Sequence, residues 1–325
     1  VDSVKRVGVL TSGGDAPGMN ACVRAVVRCG VKERLEVVGI RRGYAGLLEG
    51  DWVKLGPRSV ANIIHRGGTF LETARCEEMK TAGGIEKALQ VLRRDNIGGL
   101  IVIGGDGTFR GAVAIAERGD TSVIGVPGTI DNDVYGTDYA IGFDTATNTA
   151  LEAIDRIRDT AGSLQRPFFI EVMGKERGFI ALHVGIAGGA EQILIPEVET
   201  KIEELCLDIR RGLKRGKKSS IVIVAEGDEA GGVFQIAQQV WERLRLDYRI
   251  CVLGHIQRGG PPTARDRILA SKLGAAAIDA LVKGQSGYMV GELKGEIALT
   301  PLRETWEKRK ELDRGLVELV RILAA

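Results

Sequence analysis

Leu100-Ile101-Val102-Ile103-Gly104-Gly105-Asp106-Gly107-Thr108 is the stretch that decides the fold. Four apolar residues without polar alternation read as a strand covered on both faces, as in a parallel sheet. A glycine doublet and an acid follow, and an Ala-rich helix is expected from about Phe109. Strand, Gly-rich turn and helix in that order present backbone N–H groups to an anion. The order occurs earlier too. Val7-Gly8-Val9-Leu10 runs into Thr11-Ser12-Gly13-Gly14-Asp15-Ala16-Pro17-Gly18-Met19-Asn20, and an amphipathic segment continues to about Cys29. That turn lacks the Gly-Lys-Ser/Thr ending of a P-loop and is not Gly-x-Gly-x-x-Gly.

Downstream, Val123 to Val126 reads as the next strand and delivers Pro127-Gly128-Thr129-Ile130-Asp131-Asn132-Asp133. If this segment is extended, Asp131 and Asp133 share a side, about 6–7 Å apart. Carboxylates held that close repel unless a cation compensates. The pair suits one acid that takes a proton from a hydroxyl and another that helps hold Mg²⁺. An Asp-x-Asp after Pro-Gly is also a common solvated turn. Its neighbours favour function, because in an open parallel sheet the strand ends carry the ligand site. Gly14-Asp15, Gly105-Asp106 and Asp131/Asp133 are expected to converge on one edge.

Further elements fill in the first half. Glu36 to Ile40 reads as a strand, residues 59–65 as helical, and residues 85–94 as an amphipathic helix. The pattern restarts after about residue 143. A helix is expected over 144–161, and a strand from Phe168 to Val172 ends in Met173-Gly174-Lys175-Glu176-Arg177-Gly178. A helix over 201–215 ends among Arg210, Arg211, Lys214, Arg215, Lys217 and Lys218, more cations than a helix end requires. Ser220 to Ala225 is a buried-type strand closed by Glu226-Gly227. Arg249 to Leu253 leads into Gly254-His255-Ile256-Gln257-Arg258-Gly259-Gly260. A helix over 264–282 and a charged helix over 303–322, read as a solvated face, complete the chain. The fold class is α/β: two Rossmann-like domains with mainly parallel sheets covered by helices on both faces.

Bulk properties agree. A length of 325 residues allows two domains. Lys+Arg 45 against Asp+Glu 43 makes no case for nucleic acid or a membrane surface, and aromatics at 5% give no base-stacking platform. Glycine, at 45 residues, is roughly twice its usual share of about 7%. Its doublets lie between patterned apolar segments, which speaks against disorder. Five scattered cysteines without Cys-x-x-Cys, and three histidines, offer no metal-ligand spacing. A reducing cytoplasm is expected, with no signal peptide and no membrane span. Cys22 and Cys29, seven apart on one helix, are expected to be buried, and His65 and His183 to be structural.

Three segments in combination, Thr11 to Asn20, Gly104 to Asp133 and Gly254 to Gly260, resemble ATP-dependent 6-phosphofructokinases of the bacterial, allosteric type. The resemblance covers nearly the whole chain and weakens after about residue 290. It implies transfer of the γ-phosphate of ATP, with Mg²⁺, to the 1-hydroxyl of fructose 6-phosphate. It implies a larger ATP/Mg-binding domain at 1–142 plus about 257–306, and a smaller sugar-phosphate domain at 143–256 plus about 307–325. Asp131 becomes the base, with Thr129, Arg75 and Asp133 assisting, and Asp106 holds Mg²⁺. Gly14, Arg75, Cys76, Gly105, Asp106, Gly107 and Thr108 line the ATP site. Thr129, Asp131, Met173, Gly174, Lys175, Glu226, His255 and Arg258 hold the sugar phosphate, with Arg166 and Arg249 reaching across from a neighbouring subunit. Arg24, Arg28, Arg158, Glu191, Arg215 and Lys217 match an effector site, where ADP or GDP activates and phosphoenolpyruvate inhibits. A cytoplasmic homotetramer with shared active and effector sites follows from the same resemblance.

Pyrophosphate-using relatives carry Asp where this chain has Gly107 and Lys where it has Gly128, so both glycines favour ATP. Three departures stand out. Lys175 replaces the usual Arg and lacks its bidentate fork. Pro57 stands where an effector-binding Arg is common. Arg41 stands where some members have an aromatic against the adenine, and an arginine also stacks on a base. Two other readings remain open. An NAD- or lipid-kinase-like enzyme explains Gly104 to Thr108 but not the other motifs. A non-catalytic regulatory subunit fits poorly with Asp131 and Asp106 both present.

Overall fold

The computed structural model describes residues 4–164, 166–217 and 219–323. In chain order the strands are β1 (Arg6–Thr11), β2 (Glu36–Ile40), β3 (Trp52–Leu55), β4 (Gly99–Gly104), β5 (Ser122–Thr129) and β6 (Ile141–Gly142). There follow β7 (Pro167–Val172), β8 (Gln192–Leu194), β9 (Ser220–Ala225), β10 (Arg249–Val252), β11 (Tyr288–Leu293) and β12 (Glu296–Pro301). The helices are α1 (Met19–Lys32), α2 (Gly43–Glu49), α3 (Ala82–Arg94), α4 (Asp106–Arg118), α5 (Phe143–Leu164) and α6 (Phe179–Ala187). Then come α7 (Ile202–Lys214), α8 (Gly232–Leu244), α9 (Ala264–Val282), α10 (Glu304–Glu307) and α11 (Arg314–Leu323).

The chain divides into two compact units. One comprises Val1–Ile130, Val134–Thr145 and Arg258–Lys310; the other comprises Asp131–Asp133, Ala146–Gln257 and Glu311–Ala325. In the first, the strand order is β12-β11-β5-β4-β1-β2-β3, with β6 added beside β5. Pairing is parallel from β11 through β2, and antiparallel at the edges β12 and β3. All six residues of β4 are buried, as the uninterrupted apolar run requires of a central strand. Leu10, Val38, Leu100, Val102, Phe109 and Val123 belong to one core cluster. The chain leaves β1 toward β2 on one side and returns to β4 on the other. This reversal opens a crevice beyond the carboxyl ends of β1 and β4.

The second unit has a four-stranded parallel sheet ordered β10-β7-β9-β8. Its core includes Phe169, Ile202, Leu205, Ile209, Val222, Val224 and Ile236. The apolar residues of α7 and α8 recur at helical spacing and therefore face that core. The mainly parallel α/β architecture matches expectation.

Several local expectations need correction. Residues 59–65 are successive turns, not a helix, because Asn62 adopts φ 57°. Val60 and Ile63 are nonetheless buried, which accounts for the misleading periodicity. Helix α4 begins at Asp106 rather than near Phe109. The segment after β5 is not extended through Asp133: β5 ends at Thr129 and Asn132 adopts φ 56°. Asp131 and Asp133 therefore do not stand as alternate residues of one strand. The last helix is split, since the Asp313 side chain accepts from Gly315 N at 2.7 Å and starts α11 afresh. Within α11, Leu316, Val317, Leu319 and Val320 are half-buried, so its face is not wholly solvated. Cys22 is buried, whereas Cys29 is only half-buried.

Candidate active site

In the first unit, strand register sets the loops level. Thr11 pairs with Ile103, and Gly104 with Pro127, so the turns after β1, β4 and β5 emerge side by side. Ser12 N donates to Ile103 O at 3.0 Å. The Thr108 hydroxyl donates to Ser12 O at 3.1 Å, and the Tyr44 hydroxyl donates to Thr108 O at 2.6 Å. These bonds lock the Gly13–Gly14 turn to the first turn of α4. Thr73 adds a bond from its hydroxyl to Gly13 O at 2.7 Å.

The glycines have distinct reasons. A β-carbon at Gly104 would lie 2.3 Å from the Thr108 hydroxyl oxygen and 2.5 Å from Ser12 O. At Gly14 it would lie 2.5 Å from Nη1 of Arg258, a group that also donates to Asp15 O at 3.1 Å. At Gly107 it would meet nothing within 4 Å, and Gly107 has helical backbone rather than positive φ. No protein contact demands glycine at position 107; an incoming group over the α4 N-terminus would. Gly128 is the reverse case, since a β-carbon there would lie 2.9 Å from Ile103 and 3.1 Å from Met19.

Asp106 is the first residue of α4, so its carboxylate stands where the helix dipole and unpaired N–H groups favour anions. Gly105 neighbours Thr129, whose Cβ would be 3.8 Å from an added β-carbon. Gly14, Gly105, Asp106, Gly107, Thr108, Thr129 and Arg258 thus belong to one edge of this sheet. Arg75 is exposed and Cys76 half-buried, just before the short 3₁₀ turn Glu77–Lys80.

In the second unit, the loops after β7, β9 and β10 also meet. Lys175 N donates to Glu226 Oε1 at 2.6 Å, Glu226 N donates to Val172 O at 3.0 Å, and Met173 N donates to Gln257 Oε1 at 2.9 Å. Gly174 adopts φ 147° and Lys175 φ 59°, so this loop is held in an unusual backbone path. His255 is exposed on the 3₁₀ turn Gly254–Arg258. Asp131 is 8% exposed and Asp133 half-buried. Sequence reading missed Gln257, although it lies inside the quoted motif, and gave Arg177 no role.

Arg166 and Arg249, expected to reach a neighbouring subunit's sugar phosphate, lie at the other end of the β7 and β10 strands from Met173. Arg166 precedes β7 and pairs with Asp247 at 3.5 Å, and Arg249 opens β10. At about 3.3 Å per residue, a strand the length of β7 separates that end from Met173 by roughly 20 Å. Of the effector candidates, Arg24 and Arg28 belong to the first unit and Arg158, Glu191, Arg215 and Lys217 to the second. On α1, Arg24 is half-buried and Arg28 exposed. Arg158 donates to Gly188 O and, at 2.7 Å, to Gly189 O. Glu191 accepts from Ile221 N at 2.7 Å. Glu191, Arg215 and Lys217 line a cavity of about 530 Å³ with an apolar wall that includes Leu205, Ile209 and Val317. Lys218 lies outside the described residues.

The profile of the phosphofructokinase family matches residues 6–281. The chain belongs to the phosphofructokinase family. Relatives include the ATP-dependent 6-phosphofructokinase 1 of Thermus thermophilus, 60% identical over 321 residues, covering 99% of this chain and 100% of the relative. The ATP-dependent 6-phosphofructokinase of Halothermothrix orenii is 49% identical, again covering 99% and 100%. Among solved structures, the phosphofructokinase from Saccharomyces cerevisiae superimposes with TM-score 0.87 at 34% identity. This phosphofructokinase is covered over 98% of its length and spans 46% of the yeast chain. The pyrophosphate-dependent phosphofructokinase from Marinobacter aquaeolei, 23% identical with TM-score 0.86 and coverage of 99% and 92%, shares the fold.

Proposed function

We propose that this phosphofructokinase transfers the γ-phosphate of ATP to the 1-hydroxyl of fructose 6-phosphate, giving fructose 1,6-bisphosphate and ADP. The observation that carries the reading is the pair of bonded Gly-rich turns at the β1/β4 crevice, with open space over Gly107 at the α4 N-terminus. Such a crevice takes phosphates through backbone N–H groups. The chain's membership of a family with ATP-dependent relatives at 49–60% identity supports the donor.

Phosphoryl transfer needs positioning and charge neutralisation more than covalent work. Gly14, Gly105, Gly107, Thr108, Arg75 and Cys76 line the nucleotide. Asp131 takes the proton from the sugar hydroxyl, with Thr129 and Asp133 beside it in sequence. Thr129, Met173, Gly174, Lys175, Glu226, His255 and Arg258 hold the sugar phosphate. Arg166 and Arg249 serve a neighbouring subunit of a homotetramer; their distance along β7 from Met173 supports that division. The ATP domain comprises 1–142 plus about 257–306, and the sugar domain 143–256 plus about 307–325.

Mg²⁺ fits the residues present. It is typically bound by one or two carboxylates plus substrate phosphates and water. Among the described residues no three metal-ligating side chains gather, so no all-protein cage competes with that mode. Asp106 would hold the ion, which would supply charge neutralisation on the transferring phosphate when bound. For regulation, Arg24, Arg28, Arg158, Glu191, Arg215 and Lys217 receive ADP or GDP as activator and phosphoenolpyruvate as inhibitor. Five free thiols suit the reducing cytoplasm, and no described helix is long and apolar enough to cross a membrane.

The test is incubation with fructose 6-phosphate and Mg²⁺, once with ATP and once with pyrophosphate, measuring fructose 1,6-bisphosphate. Product with ATP alone is expected. Product chiefly with pyrophosphate overturns the donor, and no product with either overturns the reaction.

A further inference from the structure

Segment 195–201, between β8 and α7, is bonded to the loops after both β7 and β9. Both carboxylate oxygens of Glu197 accept from Gly178 N at 3.1 Å. Glu197 also pairs with Nε of Arg177 at 3.5 Å, the side chains being 17% and 10% exposed. The Arg177 guanidinium lies 5.6 Å from the Phe179 ring centroid. Arg177 N in turn donates to Gly174 O at 3.1 Å and closes the turn that carries Lys175. On the other side, Thr200 N donates to Glu229 Oε1 at 2.6 Å, and the Thr200 hydroxyl donates to the buried Asp228 at 2.9 Å. Asp228 lies two residues beyond Glu226, whose carboxylate receives Lys175 N.

A nearly buried ion pair is a poor source of net stability, because desolvation offsets its attraction. Its position explains it better. Lys175 sits at φ 59°, a left-handed conformation that persists only where the surroundings over-determine it. Three anchors surround that residue: Glu226 on its N–H, the Gly174–Arg177 turn, and Glu197 behind the turn. Gly178 packs against the same segment, since a β-carbon there would lie 2.5 Å from Ile195.

We propose that segment 195–201 is a strut that sets the sugar-phosphate loops, with Arg177 and Glu197 as positioning residues. They act through Met173–Lys175 and touch no substrate. The proposal rests on the reading of Met173, Gly174, Lys175 and Glu226 as sugar-phosphate contacts.

The test compares wild type, Arg177→Lys, and the double variant Arg177→Met with Glu197→Gln, which removes both charges of the pair. Steady-state kinetics are measured for each substrate, with amide hydrogen exchange over 173–178. In the double variant, KM for fructose 6-phosphate is expected to rise about two- to thirtyfold, the range for positioning changes without direct contact. The KM for ATP and kcat stay within about twofold, the pattern of lost sugar binding alone. Exchange at 175–178 quickens, and Arg177→Lys falls nearer wild type. An unchanged sugar KM, or an equal rise in both KM values, overturns the strut. If wild type fails to phosphorylate fructose 6-phosphate, the functional reading fails separately. Exchange then decides: unchanged protection at 175–178 in the double variant overturns the strut, and lost protection upholds the positioning.

Discussion

The hydroxyl of Thr108, in the first turn of α4, donates to the carbonyl of Ser12, in the turn after β1, at 3.1 Å. One side chain thus joins two phosphate-type turns that are 96 residues apart in sequence. Thr108→Val keeps the shape and removes the donor. Leaving a buried carbonyl without it costs about 1–3 kcal/mol. Denaturant unfolding is expected to show that loss, and KM for ATP to rise. An unchanged KM means that the two turns hold their places without this bond.

Gly107 and Gly128 separate ligand space from protein packing. The β-carbon of Gly107→Asp meets no protein atom within 4 Å. An acid in the first helical turn is favourable by about 0.3–1 kcal/mol, so stability holds or rises. ATP affinity is expected to fall if, as proposed, the nucleotide occupies the open space over Gly107. Gly128→Lys drives its side chain against Ile103 and Met19. It is expected to cost about 1–3 kcal/mol or more through overpacking. Thermal unfolding alongside ATP titration tells the two apart.

Asp131→Ala is expected to lower kcat by about 10²–10⁴-fold, a typical general-base contribution. ATP binding, read by equilibrium titration, is expected to persist. Near-normal turnover removes Asp131 from the mechanism.

Asp266 anchors the start of α5. Its carboxylate accepts from Gly142 N at 2.9 Å, Thr145 N at 2.8 Å and the Thr145 hydroxyl at 2.5 Å. Asp266→Ala strands these donors, with an expected loss of about 3 kcal/mol. Burial pushes the Asp266 pKa above the usual aspartate value, and the three donors offset only part of that shift. The folded chain therefore keeps this proton to higher pH than the unfolded chain. The group's contribution to stability is fullest below the unfolded value and falls as pH rises through the folded one. The stability of wild type minus that of Asp266→Asn is expected to decline with pH across that window. A flat difference shows that folding leaves the proton affinity of Asp266 unchanged.

Arg215→Ala combined with Lys217→Ala removes two cations from the wall of the 530 Å³ cavity. The ADP and phosphoenolpyruvate response curves are expected to flatten. Identical curves place the effector site elsewhere.

Leu100 to Ile103 forecast a central parallel strand, and all of β4 is buried. Gly-Asp-Gly at 105–107 is a turn composition, yet helical hydrogen bonding starts at Asp106. Asn132 undid the simple alternation of Asp131 and Asp133, because one left-handed residue redirects everything after it. Nothing in the sequence singles out Gln257 beside His255 and Arg258, since burial of a polar side chain leaves no mark there.

Local rules accounted for the α/β class, the Gly-rich turns and the family's motifs, because strand burial, turn chemistry and helix starts depend on neighbours in the chain. The Thr108–Ser12 bond, the open space over Gly107, the crowding at Gly128 and the Arg177–Glu197 pair were decided only by tertiary structure. Each depends on how strands far apart in sequence come into register. Parallel pairing requires long crossovers, so residues that touch at a sheet edge are seldom near one another along the chain.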